Sequence, residues 1–226
     1  MRIQTARTIF LAASLLASGL VTGARGQMGT DALTVPRGPV PTLDGVLTPD
    51  EWKDARRIKI AGGEILLQYA GGSLYVGLRT TSRAVGSICV DQGDRIAVLH
   101  SSAALGTAVY ARAGSNWRLL RAFAWRCRHQ GDTAPMQAER ESFWHDEQWL
   151  ANNAFTGTPG EMEYRIAVPA GSLRLAVGFR RMTDQILLFW PAEVSDDSRS
   201  LDLIGGDAPA TLEFLPEEWI TVRVAP

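Results

Sequence analysis

The chain has 226 residues, 46% of them hydrophobic and 21% charged, which is length enough for one well-buried core. A formal net charge of -1, with Lys53 and Lys59 the only lysines, excludes the strongly basic surface that nucleic acid or an anionic membrane would demand.

Residues 1–26 read as a secretory signal peptide. Arg2 and Arg7 make a positive start, Ile9 to Val21 is an apolar run, and small residues follow at Thr22, Gly23, Ala24 and Gly26. The run is shorter than the ~20 residues that cross a bilayer. Its removal takes away Arg2, Arg7 and Arg25 and leaves the acids in excess. The expected location is therefore exported, periplasmic or extracellular, with no membrane span in the mature chain.

Residues 27–40 are rich in Gly, Pro and small polar types and predict a flexible lead-in. The stretch Pro41–Ala55 follows. Asp44-Gly45 supplies a turn. Thr48, Pro49 and Glu51 form a capping box with proline at the first position, predicting a short helix from Pro49 to about Ala55. Trp52 is its one large apolar residue and should point into the fold.

From there the pattern has period 2. Strands are expected at Glu64–Tyr69 and Ser73–Arg79 across Gly71-Gly72, at Val85–Val90 and Arg95–His100, and at Thr107–Arg112 and Asn116–Arg128. In the last of these Trp117, Leu119, Phe123, Trp125 and Cys127 share a face. Gly131 and Pro135 then open an excursion, with a helix expected from Met136 to about Leu150. Strands resume at Glu161–Val168, Leu173–Arg180, Gln185–Trp190, Thr211–Leu215 and Trp219–Val224, with a polar, acidic loop at Ala192–Asp207.

Short strands, glycine-punctuated turns and few helices predict an all-β fold. The expected architecture is an antiparallel β-sandwich, jelly-roll-like, with a short N-terminal helical turn and one helical insertion near 136–150. Residues 41–226 would form a single sandwich domain. Export permits a disulfide between Cys89 and Cys127, and two buried free thiols are the alternative.

Several pieces share one family pattern. They are Leu43-Asp-Gly45, Glu51-Trp52 with Ala55, Gly71-Gly72 with Leu74-Tyr75-Val76, Glu163-Tyr-Arg-Ile166 leading into Val168-Pro169, and a closing strand near Trp190. Over roughly residues 40–215 the chain resembles the family 9 carbohydrate-binding modules and their wider DOMON-like relatives. The resemblance implies a β-sandwich that binds a sugar between tryptophan rings, often with structural calcium; DOMON relatives bind sugar or haem. Asp44, Glu51 and Trp52 are architectural in that pattern. No attached catalytic domain is expected within these 226 residues, and the excursion at 129–160 has no counterpart in the pattern.

Seven tryptophans supply the flat apolar faces that stack on sugar rings. Trp52, Trp117 and Trp125 read as core, and Trp219 as a tether for the last strand. Trp144, Trp149 and Trp190 lie at loop or strand ends and are the expected platform, with His145 and Asp146 as polar partners. No cofactor is expected, with structural calcium the one open option at Asp196, Asp197 and Asp202. Arg118, Arg121, Arg126 and Arg128 form a basic strip or a solvated strand face. His100, His129 and His145 with Met136, Met162 or Met182 offer axial haem ligands without fixing a pair. There is no nucleophile elbow, P-loop or dinucleotide fingerprint, so no enzyme is expected. The functional expectation is a non-catalytic binding module for carbohydrate or a similar small ligand. The alternative is an envelope scaffold or protein-interaction domain.

Overall fold

A computed structural model describes residues 32–129, 131–168, 171–200 and 207–224. The expected signal peptide and Asp202 lie outside the described residues. The strands are β1 (Leu33–Val35), β2 (Arg56–Ile60), β3 (Gly63–Ala70), β4 (Ser73–Thr80), β5 (Ala84–Asp91), β6 (Arg95–Ser101), β7 (Leu105–Ala113) and β8 (Asn116–Arg121). After helix α1 (Ala134–Glu147) come β9 (Trp149–Ala151), β10 (Glu161–Ala167), β11 (Ser172–Arg181), β12 (Leu187–Trp190), β13 (Thr211–Leu212) and β14 (Ile220–Val224). They form an all-β sandwich. One sheet runs β1-β14-β11-β5-β6-β7-β8-β13, with β12 beside the second half of β11, and the other runs β2-β3-β4-β10-β9. Pairing is antiparallel except that β1 lies parallel to β14.

Alternation along the strands of the large sheet feeds two cores. Ile88, Val90, Ala97, Leu99 and Val177 face the small sheet, while Cys89, Ile96, Val98 and Ala176 face outward. That outward face is closed by the C-terminal stretch, through Val194, Phe214 and Trp219. The outward face of the small sheet is closed by the Asp44–Ala55 stretch, through Leu47 and Trp52 on Leu66 and Tyr75.

This N-terminal clasp is a series of turns and not the predicted helix. Trp52 N–H donates to Thr48 O at 3.2 Å, but the ladder does not continue. The capping box is used differently. Thr48 Oγ1 donates to Glu51 at 2.7 Å, while the other Glu51 oxygen accepts from Thr42 N–H. Tertiary bonds outweigh the local helix signal. Two acids of β10 hold the clasp. Glu161 accepts from Leu47 N–H at 2.8 Å and from Arg79 at 2.7 Å. Glu163 accepts from Gly45 N–H at 2.7 Å and from Trp52 Nε1 at 3.2 Å. Gly45 has φ 83, and a Cβ there would lie 2.8 Å from the Asn152 side chain. Under Trp52, a Cβ on Gly77 would lie 2.8 Å from Leu47, so the clasp descends only onto a glycine.

Other departures from expectation share one cause, contacts distant in sequence. The described part of the lead-in, residues 32–40, is bound: β1 pairs with β14, Tyr69 N–H donates to Pro36 O, and Gly38 N–H donates to Tyr69 O. It thus ties both sheets. The strand predicted to run from Asn116 to Arg128 stops at Arg121. Beyond it Phe123 and Trp125 stack on each other, centroids 4.7 Å apart, beside His100, and Trp125 is half-buried rather than core. Cys127 then turns inward with φ 52. The expected shared face of Trp117 and Cys127 is therefore wrong: Arg126 still bridges to Leu105 of β7, but the register slips along β7 and the left-handed backbone at Cys127 turns its side chain to the other face. Cys89 and Cys127 belong to cores on opposite faces of the large sheet, and both are free thiols.

Candidate ligand cleft

Helix α1 is polar, with Phe143 its one buried residue. It ends at Gln148, which adopts the left-handed conformation (φ 59) and donates its N–H to Trp144 O. That stop sends the chain directly into β9, so Trp149 enters the core against Phe143, centroids 5.1 Å apart, and stacks near Tyr164. Ties to the large sheet hold the helix in place. Arg121 donates twice to Glu147, at 2.8 and 2.6 Å, and Arg126 donates to Asp146 at 2.8 Å. Glu139 accepts from Cys127 N–H at 2.7 Å.

The small sheet and α1 together leave part of the inner face of β5–β8 uncovered. The result is a half-open cleft of about 840 Å3. Ala97 and Leu99 of β6, Thr107 and Val109 of β7 and Leu120 of β8 line one side. Trp149, Ile166 and Val168 line the other, Leu173 of β11 extends the large-sheet side, and Trp149 Nε1 donates to Thr107 Oγ1 at 2.8 Å across the back. Asp91, Gln92, Arg95, Arg121, Asp146, Glu147 and Gln148 provide the polar lining. The volume lies in the range of sites that enclose small molecules, and an apolar floor with a few polar groups is their usual make-up.

Charges in this lining are already paired. Asp91 meets Arg174 at 3.4 Å, Glu147 meets Arg121, and Asp146 meets Arg126. The Arg126 guanidinium holds the Asp146 carboxyl below the usual range. These ion pairs are part-exposed, a setting in which solvent screens them strongly. The acid most displaced toward neutrality, Glu163, is pushed up to about 8 by burial but sits beneath the clasp with N–H donors on both oxygens. No arrangement of an unpaired acid and base faces the cleft among the described residues.

The predicted platform is not assembled. Trp149 is 1% exposed, packed against Phe143 and stacked near Tyr164, so it offers no open ring face. Trp144 is half-buried in a different groove, beside Arg165. Trp190 lies in a third, with Ile58, Ile60 and Leu187, where the edges of the two sheets meet. Asp146 and Trp149 share the cleft, whereas the His145 side chain is 88% exposed and reaches only Asp146.

The acidic loop is built as structure. Asp196 accepts from Leu215 N–H at 2.6 Å, Trp219 Nε1 at 2.9 Å, Ser198 N–H at 2.9 Å and the Ser198 hydroxyl. Asp197 accepts from Glu213 N–H. Among the described residues no three metal-ligating side chains cluster, and Asp196 has its oxygens committed to these donors. The basic strip is divided, with Arg121 and Arg126 paired to α1 and Arg118 and Arg128 exposed. His100 is buried with Nδ1 2.8 Å from Ser87 Oγ, while His129 and His145 are exposed. No helix of the described residues is long and apolar enough to cross a membrane.

Sequence reasoning missed the cleft floor. Ala97, Leu99, Thr107 and Val109 carry the same alternation as any inward strand position, and no local signal marks where the opposing sheet falls short.

No protein-family model matches the chain, and no curated protein matches it. Among solved structures it is similar to the crystal structure of a candidate carbohydrate-binding protein from Bacteroides uniformis. The TM-score is 0.43 at 10% identity, with 86% of this chain and 99% of that chain covered. A likeness at this level bears on neither ligand nor activity.

Proposed function

We propose that the chain is an exported, non-catalytic binding module whose small ligand enters the cleft between the two sheets. The observation that carries this reading is the cleft itself, about 840 Å3, with an aliphatic floor and polar groups in its lining. Carbohydrate is the first ligand class to test, because the pattern around Asp44-Gly45, Glu51-Trp52 and Glu163-Tyr164 resembles the family 9 carbohydrate-binding modules. The floor refines that expectation. It holds valine, leucine and alanine rather than an open aromatic face, so it favours a sugar carrying an apolar substituent over a bare one.

Titrating the protein with octyl glycosides and with the parent free sugars tests the reading, followed by calorimetry. The alkyl glycoside is expected to bind at least about tenfold more tightly, since several buried CH2 groups contribute about 0.8 kcal/mol each at full burial. Val109→Trp, which fills the cleft from β7, abolishes that binding while the far-ultraviolet circular dichroism is unchanged. Equal binding by the Val109→Trp variant, or no binding of either ligand at millimolar concentration, contradicts the proposal.

A further inference from the structure

Helix α1 also borders a second surface. Gln137, Arg140, Glu141 and Trp144 follow one another at helical spacing and line an open groove of about 300 Å3 with Leu150 of β9 and Arg165 of β10. β9 separates this groove from the cleft, with Trp149 on one face and Leu150 on the other.

The chemistry here differs from that of the cleft. The Arg165 guanidinium lies 3.7 Å from the centre of the Trp144 ring, and its Nε donates to Ser73 Oγ at 3.1 Å. Arg140 donates one N–H to Ala151 O at 3.1 Å. Neither arginine has a carboxylate at ion-pair distance among the described residues, although Arg121 and Arg126, on the cleft side of the same helix, are both paired. A guanidinium carries five N–H donors in a planar fork, and stacking on an aromatic ring leaves the edge of that fork open for a planar, two-oxygen acceptor. The Arg165 fork, the partly buried Arg140 guanidinium and one acid, Glu141, line the same groove, so its lining carries a net positive charge.

We infer that this groove is a binding site for a carboxylated sugar, a uronic acid unit. Its carboxylate is taken by Arg165 and Arg140, and its hydroxyls meet Gln137 and Glu141. Leu150 and the Trp144 ring give the C–H surface of the sugar an apolar neighbour. Glu141 sets the selectivity: it accepts from hydroxyls and repels a densely sulfated chain. The inference stands on its own residues and does not rest on occupancy of the cleft.

The test is a titration of the protein with trigalacturonate, with neutral galactotriose and a heparin oligosaccharide as comparisons, followed by amide chemical shifts and calorimetry. Trigalacturonate is expected to bind and to shift the Trp144 indole and Arg165 signals, with little response to the other two. Arg165→Gln weakens it about tenfold or more, the scale of one charge-assisted hydrogen-bond pair. Arg165→Lys keeps the charge but not the fork and falls between. Val109→Trp leaves the affinity unchanged, which separates this site from the cleft. Equal binding of galactotriose, tighter binding of heparin, or no trigalacturonate response at millimolar concentration in the folded protein overturns the inference.

Discussion

Replacing Trp52 by alanine is expected to destabilise the fold by about 3–5 kcal/mol, the scale for removing a fully buried tryptophan. The ring is 0% exposed and is the largest side chain between the clasp and the small sheet. It rests over Gly77 and Leu66 and donates to Glu163. The loss has two parts. Removing the ring leaves a cavity under the clasp, and removing the indole N–H takes one of the donors from a buried carboxyl. Trp52→Phe separates them, since it keeps most of the volume and forfeits only the hydrogen bond, for about 1–3 kcal/mol. Chemical denaturation of both variants checks this. A loss under about 1 kcal/mol for Trp52→Ala would mean that the clasp is not cooperative with the rest of the sandwich.

The second large effect is a pH dependence with two limbs. Burial pushes Glu163 up from 4.5 to about 8, against the pull of the Gly45 and Trp52 N–H donors and with help from nearby Asp44 and Glu51. Below pH 4.5 the carboxyl is protonated in folded and unfolded chains alike, and its contribution is complete. As pH rises toward 8 the unfolded chain gives up a proton that the folded one keeps, so stability is lost, in all roughly 4–5 kcal/mol. His100 runs the other way. Burial lowers it from 6.5 to about 4, so its contribution is complete above pH 6.5 and is lost as pH falls to about 4, roughly 3 kcal/mol in all. Between pH 4.5 and 6.5 the two slopes cancel, and above 6.5 the Glu163 loss stands alone. Stability should therefore be level across that interval and decline on its alkaline side. In Glu163→Gln the alkaline decline disappears and the His100 rise from pH 4 to 6.5 is uncovered. Denaturation midpoints measured from pH 4 to 9 check this, and an alkaline decline of equal slope in wild type and Glu163→Gln would assign it to other groups.

Much of the fold is legible in the chain because half-buried strands alternate. Glycine pairs and short polar turns mark the hairpins from β3 to β7, and β10, β11 and β14 carry the same period. What was illegible depended on partners. β2 is an exposed, basic edge strand, and β9 has only three residues. The left-handed stop at Gln148 needs no glycine, so the helix expected to reach Leu150 ends less than one turn earlier, at Glu147. The strand expected to continue past Arg121 is interrupted although Phe123, Trp125 and Cys127 keep the period, because the register against β7 slips before Arg126 bridges to Leu105. Period alone does not distinguish a continuous strand from one broken by a register slip.

The site was legible only in part. The sequence directs attention to Phe143–Trp149, and that segment does border both the cleft and the groove. It does not reveal that Trp149 turns inward, nor that Trp144 and Trp190 lie in separate grooves. Exposure of an aromatic ring is set by where α1 docks and how far the small sheet extends. Both follow from contacts such as Arg121 with Glu147 and Glu139 with Cys127 N–H, which local pattern does not encode.

The most direct measurement of the central proposal is a map of where an octyl glycoside binds, from methyl and amide chemical shifts of the labelled protein. The largest changes are expected on Leu99, Val109, Leu120 and Ile166, with the Trp144 groove and the Trp190 groove unmoved. Changes confined to either groove, or no change at any methyl of the cleft at millimolar ligand, would contradict it.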